Sequence, residues 1–159
     1  MFSFPNPVNE KAARVVAGVV AVAGIAILAT GARWLLVPLA YGFWARVLSG
    51  PTLSPLGRLA SAVIAPRLGP PRYVAGPPKR FAQGIGAALT TAAALLALGF
   101  GEGAAADVLV GLLVAGATLE SVFALCLGCH AFALLMRAGL VPASTCERCA
   151  DIRSQPQRS

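Results

Sequence analysis

Between residues 12 and 125 the chain carries four apolar stretches, at 12–30, 34–49, 82–100 and 107–125, separated by short polar connections and one longer basic one. A helix needs about 20 predominantly apolar residues to cross the hydrocarbon core of a bilayer, where only helices and closed barrels satisfy their own backbone groups. Each stretch approaches that length, although the second is short and has to stand upright or be shielded by neighbours. Only 12% of the residues are charged and 57% are hydrophobic, far from the roughly 25% charged content of soluble domains. The fold class this predicts is all-α, a bundle of four transmembrane helices. Runs such as GVVAVAGIA and GIGAALTTAAALLALG are rich in small residues, which let membrane helices approach closely. The first stretch ends in AILATGA, but it is longer than the roughly 7–15 apolar residues of a signal peptide, so it is read as a membrane helix.

Charge sets the orientation. Thirteen Lys and Arg against six Asp and Glu give a net charge of +7. Of the basic residues only Arg33 falls between the first and second stretches or between the third and fourth; the others lie at the termini or near the middle connection. The positive-inside rule then puts both termini and the middle loop in the cytoplasm, as a multi-pass protein of the cell's inner (plasma) membrane. The basic residues are not interleaved with aromatics on one face, so the lipid bilayer is the expected partner and nucleic acid is not. Oligomeric state is left open. Trp34, Tyr41 and Trp44 suit interfacial anchoring or bundle packing. The stretch GPPRYVAGPPKR reads as a proline-rich linker whose basic residues favour anionic headgroups.

The two halves align as copies, 12–71 with 78–142, with one gap in each. Arg14 meets Arg80, Gly18 meets Gly84, Leu35-Leu36-Val37 meets Val108-Leu109-Val110, and Leu56-Gly57 meets Leu127-Gly128. Both run inside, outside, inside, which makes a two-helix parallel repeat. Residues 1–142 form the membrane domain and 143–159 a cytosolic tail. In the first half Ser54-Pro55 looks like an N-cap followed by a first-turn proline, with Leu56, Leu59, Ala60, Val63 and Ile64 at helical spacing beyond it. A short interfacial helix is therefore expected after the second span, and its counterpart after the fourth begins at CLGC and runs to Arg137. One unbroken helix over 107–137 would be about 45 Å long, well beyond the bilayer core.

Cysteine is the unusual feature. CLGC (Cys126, Cys129) adjoins His130, and CERC (Cys146, Cys149) follows in the tail. Buried cysteines are commonly inert, so close packing of CLGC beside an incidental CERC is one reading. A second is a redox or sulfur-handling dithiol. In the broken-helix arrangement Cys126 sits in a helix's first turn, where N–H groups and the helix dipole favour a thiolate, and His130 could assist. Residues 138–145 extend over roughly 26 Å, enough for CERC to reach back and exchange with CLGC. A third reading is a structural zinc site, because the two pairs lie sixteen residues apart, inside the spacing typical of four-cysteine zinc. His130, the sole histidine, cannot build a histidine cluster and reads more simply as an interfacial side chain with one hydrogen bond. Arg46 and Glu120 lie at matched depth, about 18–20 Å from the outer ends of their helices, and are expected to form a structural ion pair. Glu102 and Asp107 read as ordinary outer-loop charges. A small transporter has little support, and no nucleotide loop, Ser/His/Asp constellation or paired carboxylates are present.

The segments FPNPVNEKAARVVAG, SPLGRLASAVIAPRLGPP with PKRFAQGIG, and FALCLGCHAFALLMRAGLVP with CERCADI together resemble a bacterial family of small membrane proteins catalogued as domain of unknown function forty-three ninety-five. The similarity covers nearly the whole chain and is most specific at PRLGPP…RFAQ and CLGC. A more distant similarity is to four-helix membrane proteins of the DoxX type. The resemblance implies a four-helix integral membrane protein without an established activity, found in settings that include thioredoxin-like and rhodanese-type sulfurtransferase proteins, and it carries Cys126 and Cys129 as the motif residues. The expected function is thiol-disulfide or sulfur transfer with a thioredoxin-like partner at a cytosol-facing dithiol. Cys126 is the more reactive thiol, Cys129 the resolving one, and Cys146 and Cys149 a shuttling pair, with no cofactor. The alternative is a non-enzymatic membrane scaffold in which all four cysteines bind zinc.

Overall fold

A computed structural model describes residues 8–50, 53–74 and 76–140. Helix α1 (Glu10–Thr30) begins where the Asn9 side chain accepts the Lys11 N–H at 3.0 Å. It ends at Gly31, whose left-handed backbone (φ 71°) returns its N–H to the Ile27 carbonyl. A single 3-10 turn (Arg33–Leu35) leads into α2 (Leu36–Ser49), which stops at Gly50. Next comes the short helix that Ser54-Pro55 predicts: α3 (Pro55–Leu59) passes through a π turn (Ala60–Ile64) into α4 (Ala65–Arg67). Ser54 Oγ caps it by accepting the Gly57 N–H at 3.1 Å. Two residue pairs, Val8 with Val74 and Asn9 with Tyr73, form a minimal antiparallel ribbon of β1 (Val8–Asn9) and β2 (Tyr73–Val74) that ties the start of α1 to the end of this segment.

The second half follows the same plan. Helix α5 (Gly76–Ala94) continues as a π turn (Leu95–Gly99), α6 is Gly103–Phe123, and α7 is Leu127–Arg137. The start of α5 corrects the expectation of a linker through GPPKR. Pro77 and Pro78 occupy the first helical turn, where a missing N–H costs no intrahelical bond, so the helix starts six residues before the apolar stretch.

Among the described residues three helical segments are long and apolar enough to cross a membrane: Glu10–Thr30, Gly76–Gly99 and Gly103–Phe123. Helix α2, with 14 residues, is shorter than that. Helix α1 packs along α6 and α2 along α5, with α5 also touching α6 and α7. One core cluster gathers Val16, Val20, Phe43, Ala87, Leu113 and Ala117, and a second gathers Ile27, Leu36, Ala93, Ala106 and Val110. At Gly86 any side chain would run into the Phe43 ring, so glycine there sets the spacing between α2 and α5. Large apolar side chains such as Val22, Ile25, Leu98, Val108 and Val122 cover the outside, as suits helices whose solvent is hydrocarbon.

Two cross-helix contacts are related by exchange of the halves. On α1, Arg14 donates from Nε and Nη2 to the Ser121 carbonyl (3.1 and 2.9 Å) in the last turn of α6. On α5, Arg80 donates from Nε to the Val47 carbonyl (2.9 Å) in the last turn of α2. A cation at a helix C-terminus satisfies orphan carbonyls and complements the dipole. At the other end of the bundle Arg33 pairs with Asp107 at 3.1 Å, so Asp107 is a structural partner and not merely a loop charge.

Candidate functional site

Helix α6 breaks where CLGC begins. Ala124 takes a left-handed backbone (φ 55°), the sole non-glycine residue among those described to do so, at a steric cost of roughly 1–2 kcal/mol. Leu125 returns its N–H to the Leu119 carbonyl, and Cys126, with extended backbone, becomes the N-cap of α7. The broken-helix expectation holds, and the 107–137 continuous helix does not form. Cys126 Sγ accepts the Cys129 N–H at 3.3 Å. The Cys126 carbonyl accepts the His130 N–H at 3.1 Å and the His130 Nδ1–H at 2.9 Å. His130 thus braces the cap through the backbone, which is the plainer of its two expected roles.

Helix α7 is held against α5 at two points. A Cβ at Gly128 would strike the Ala82 backbone, so only glycine permits this approach. One turn further on, the Phe132 ring packs at 57° against Phe81 with centroids 5.7 Å apart. This docking sets Cys126 over a buried charged layer. Lys79 on α5 and Glu120 on α6 form an ion pair with side chains only 8% and 13% exposed. Beside them Arg46 donates from Nε to Gln83 Oε1 at 2.8 Å and from Nη1 to Ser54 Oγ at 3.3 Å, its guanidinium 4.7 Å from the Phe43 ring centre. A cavity of about 350 Å³ reaches between the helices to this layer, with Gln83, Glu120 and Cys126 at its polar end.

The two thiols differ in ionisation and in access. The Cys126 thiol is lowered from 9.0 to about 7, first because the Cys129 side chain donates a hydrogen bond to its sulfur. Burial and the Glu120 charge oppose the shift; Lys79 and the Cys129 backbone N–H support it. The Cys129 thiol is raised, because it is the donor in that bond and is itself partly desolvated. Cys126 is 7% exposed, whereas Cys129 is half-buried. The sulfur with the lowered pKa is therefore the less accessible one on the outer surface.

The sequence profile of a family described as Domain of unknown function (DUF4395) matches residues 8–137. The chain belongs to the DUF4395 family. No curated protein matches it, and no solved structure does. The DUF4395 match stops at the last residue of α7, so it contains Cys126 and Cys129 and leaves out Cys146 and Cys149. Those two cysteines also lie outside the described residues. Among the described residues no group of three or more His, Cys, Asp or Glu side chains is placed to hold a metal ion.

Within the DUF4395 domain the expected Arg46–Glu120 pair is replaced. Glu120 pairs with Lys79, while Arg46 bonds to the neutral Gln83 and Ser54. Helix α5 packs on both α2 and α6 and carries the intervening groups, which equal depth on α2 and α6 could not reveal. Lys79 and Gln83 escape sequence reasoning because GPPKR reads as the end of a linker, which hides the first turns of α5. The signal was present: once Pro77-Pro78 is read as a helix start, Lys79, Gln83, Gly86 and Thr90 recur at helical spacing on one inward face.

Proposed function

We propose that the chain is a four-span protein of the inner membrane, with both termini and CLGC on the cytoplasmic side, whose Cys126–Cys129 dithiol exchanges electrons with a thioredoxin-like protein. The 3-10 turn and α2 together supply 17 residues, 33–49, at the lower limit for a span. The parallel repeat is supported by the exchange of Arg14 on α6 for Arg80 on α2, a pairing that matches the alignment of the two arginines. Orientation rests on the distribution of basic residues.

The observation that carries the chemistry is the cap itself: a thiol lowered to about 7, three residues before a second, partly accessible thiol. In the oxidised site a partner thiolate attacks the accessible Cys129 sulfur. The Cys126–Cys129 bond breaks and Cys126 leaves as a thiolate, the better leaving group because its pKa is lower. The partner's second thiol then attacks its own first sulfur, passing its proton to the departing Cys129. The partner ends as a disulfide and the site as thiolate plus thiol, two electrons richer; the reverse course uses the same intermediates. Cys129 makes the contact and Cys126 stores the charge, which reverses the attacking and resolving roles expected for the two thiols from the sequence.

A thioredoxin-type protein lacking its resolving cysteine, mixed with the oxidised chain, is expected to be captured as a mixed disulfide that maps to Cys129. Absence of capture, with thiol redox state indifferent to Cys126→Ser and Cys129→Ser, removes the proposal. Zinc is the competing outcome, favoured by the C-x2-C, sixteen residues, C-x2-C spacing. One zinc per chain in anaerobically purified protein, lost together with all four thiols, would establish it.

A further inference from the structure

We propose that the cavity beneath CLGC admits a lipid-soluble quinone, which takes the two electrons that the dithiol receives. The inference rests on the dithiol reading and names its second substrate.

Access is the first argument. Cys126 carries the thiolate yet is 7% exposed, so a folded protein finds little of it on the outside. From inside, the same residue lines a cavity of about 350 Å³, at the lower end of the range for small-molecule sites. A molecule small enough to enter reaches the sulfur that a protein partner does not.

The walls specify the chemistry of that molecule. Val16, Val20, Phe43 and Leu113 make most of the cavity apolar. Ile85 and Leu112 also line it, and they are 39% and 58% exposed on the outside of the bundle, so the cavity opens where acyl chains would lie. A ligand arriving by that route is dissolved in the membrane. At the inner end the polar groups suit a carbonyl compound. Gln83 has its own carbonyl oxygen fixed by Arg46, which turns its amide N–H groups toward service as donors. Glu120, held by Lys79, lines the same end. A planar ring with carbonyl oxygens and an apolar tail meets all these features, and a quinone is the member of that class that accepts two electrons and two protons.

The reaction balances without a metal or flavin. The Cys126 thiolate, the Cys129 thiol, one quinone and one solvent proton give the Cys126–Cys129 disulfide and one hydroquinone. One S–S bond forms, the Cys129 S–H bond breaks, and its proton and the solvent proton finish on the two quinone oxygens. The disulfide so made is the form that a partner thiolate attacks at Cys129.

The test uses the full chain, reduced and reconstituted in lipid nanodiscs, mixed anaerobically with a decyl-substituted benzoquinone. Quinone absorbance and free thiols are followed together, and a water-soluble aromatic disulfide serves as a parallel oxidant. The expected result is one quinone reduced for each two thiols lost, with no reduction in Cys126→Ser. Gly116→Leu adds a side chain to the cavity wall at a position with nothing within 4 Å of an added Cβ. It is expected to slow the quinone reaction at least about tenfold while the aromatic disulfide still oxidises the thiols at the wild-type rate. If the aromatic disulfide closes the dithiol and the quinone does not, the quinone site is wrong and the dithiol reading stands. If neither oxidant closes it, both fail. Equal quinone rates in Gly116→Leu and wild type overturn the cavity as the site.

Discussion

The short helix that starts at Pro55 and the one that starts at Leu127 are capped alike, by Ser54 Oγ on the Gly57 N–H at 3.1 Å and by Cys126 Sγ on the Cys129 N–H at 3.3 Å. Both caps stand over a buried cation. In the first half it is Arg46, which hydrogen-bonds Ser54 directly; in the second it is Lys79, which is neutralised by Glu120 and acts on Cys126 through its charge. A serine hydroxyl beside a guanidinium does not ionise near neutrality, so the first cap is structural only. A thiol in the same place does, and where the first helix has Gly57 the second has Cys129, a second thiol that under the proposed function receives or returns the electron pair. By their caps Ser54 corresponds to Cys126 and Gly57 to Cys129, one residue away from the expected alignment of Leu56-Gly57 with Leu127-Gly128.

The largest expected effect is on the charged layer beneath the cysteine cap. Glu120→Leu leaves Lys79 buried without its partner, and removing one member of a buried pair costs about 3–5 kcal/mol. Thermal unfolding in detergent is expected to show it, and Lys79→Met added to Glu120→Leu is expected to recover most of the loss. If the single change is as stable as wild type, the pair is not desolvated as described. The serine cap comes next. Ser54→Ala removes an N-cap and one acceptor of Arg46, with an expected loss of about 1–2 kcal/mol. Cys126→Ala is expected to cost less, because sulfur is the weaker acceptor. Equal losses would mean that the two caps are energetically alike and that the sulfur is not held for its chemistry.

What was legible in the sequence followed from long, local patterns. Apolar length placed α1, α5 and α6 to within a few residues at most ends, and Ser54-Pro55 announced α3 because a cap and a first-turn proline are both local chemistry. The break before CLGC was legible from length alone, since a helix through it would overrun the bilayer core. The early start of α5 was hidden because Pro77-Pro78 marks a linker as readily as a helix start. With it went Lys79, and hence the true partner of Glu120. The Arg33–Asp107 pair depends on which helix ends meet, which is a tertiary fact. The cavity was illegible for the same reason, as its wall is shared among α1, α2, α5, α6 and α7.

The hydrogen bond between the two thiols gives a smaller effect that only the cysteine cap can show. With the Cys126 thiol at about 7 and the Cys129 thiol raised, alkylation of Cys126 is expected to rise through pH 7 and level off by about pH 8. The side chain of Cys129 is the main cause, so Cys129→Ala is expected to move the midpoint upward toward the ordinary thiol value of 9.0, and Cys129→Ser, which keeps a donor, to move it less. An unchanged midpoint in Cys129→Ala would assign the shift to Lys79 and the helix terminus instead.

The smallest expected effect separates the two readings of the cysteines most sharply. Cys126→Ser converts the second cap into a copy of the first. Serine is a preferred N-cap, its oxygen accepts the residue 129 N–H at least as well as sulfur does, and the shorter C–O bond leaves only a small void. Stability is therefore expected to change by no more than about 0.5 kcal/mol, while quinone reduction and reversible dithiol closure disappear. A structural zinc bound by four thiolates behaves oppositely, since its binding free energy is part of the folding free energy and each lost ligand is felt by the whole site. Under that arrangement Cys126→Ser, Cys129→Ser, Cys146→Ser and Cys149→Ser each lower the unfolding temperature to a similar extent, and a chelator lowers that of the unmodified chain. A stable, inactive Cys126→Ser variant indifferent to chelator would locate the function in the sulfur that the second cap carries where the first has the Ser54 oxygen.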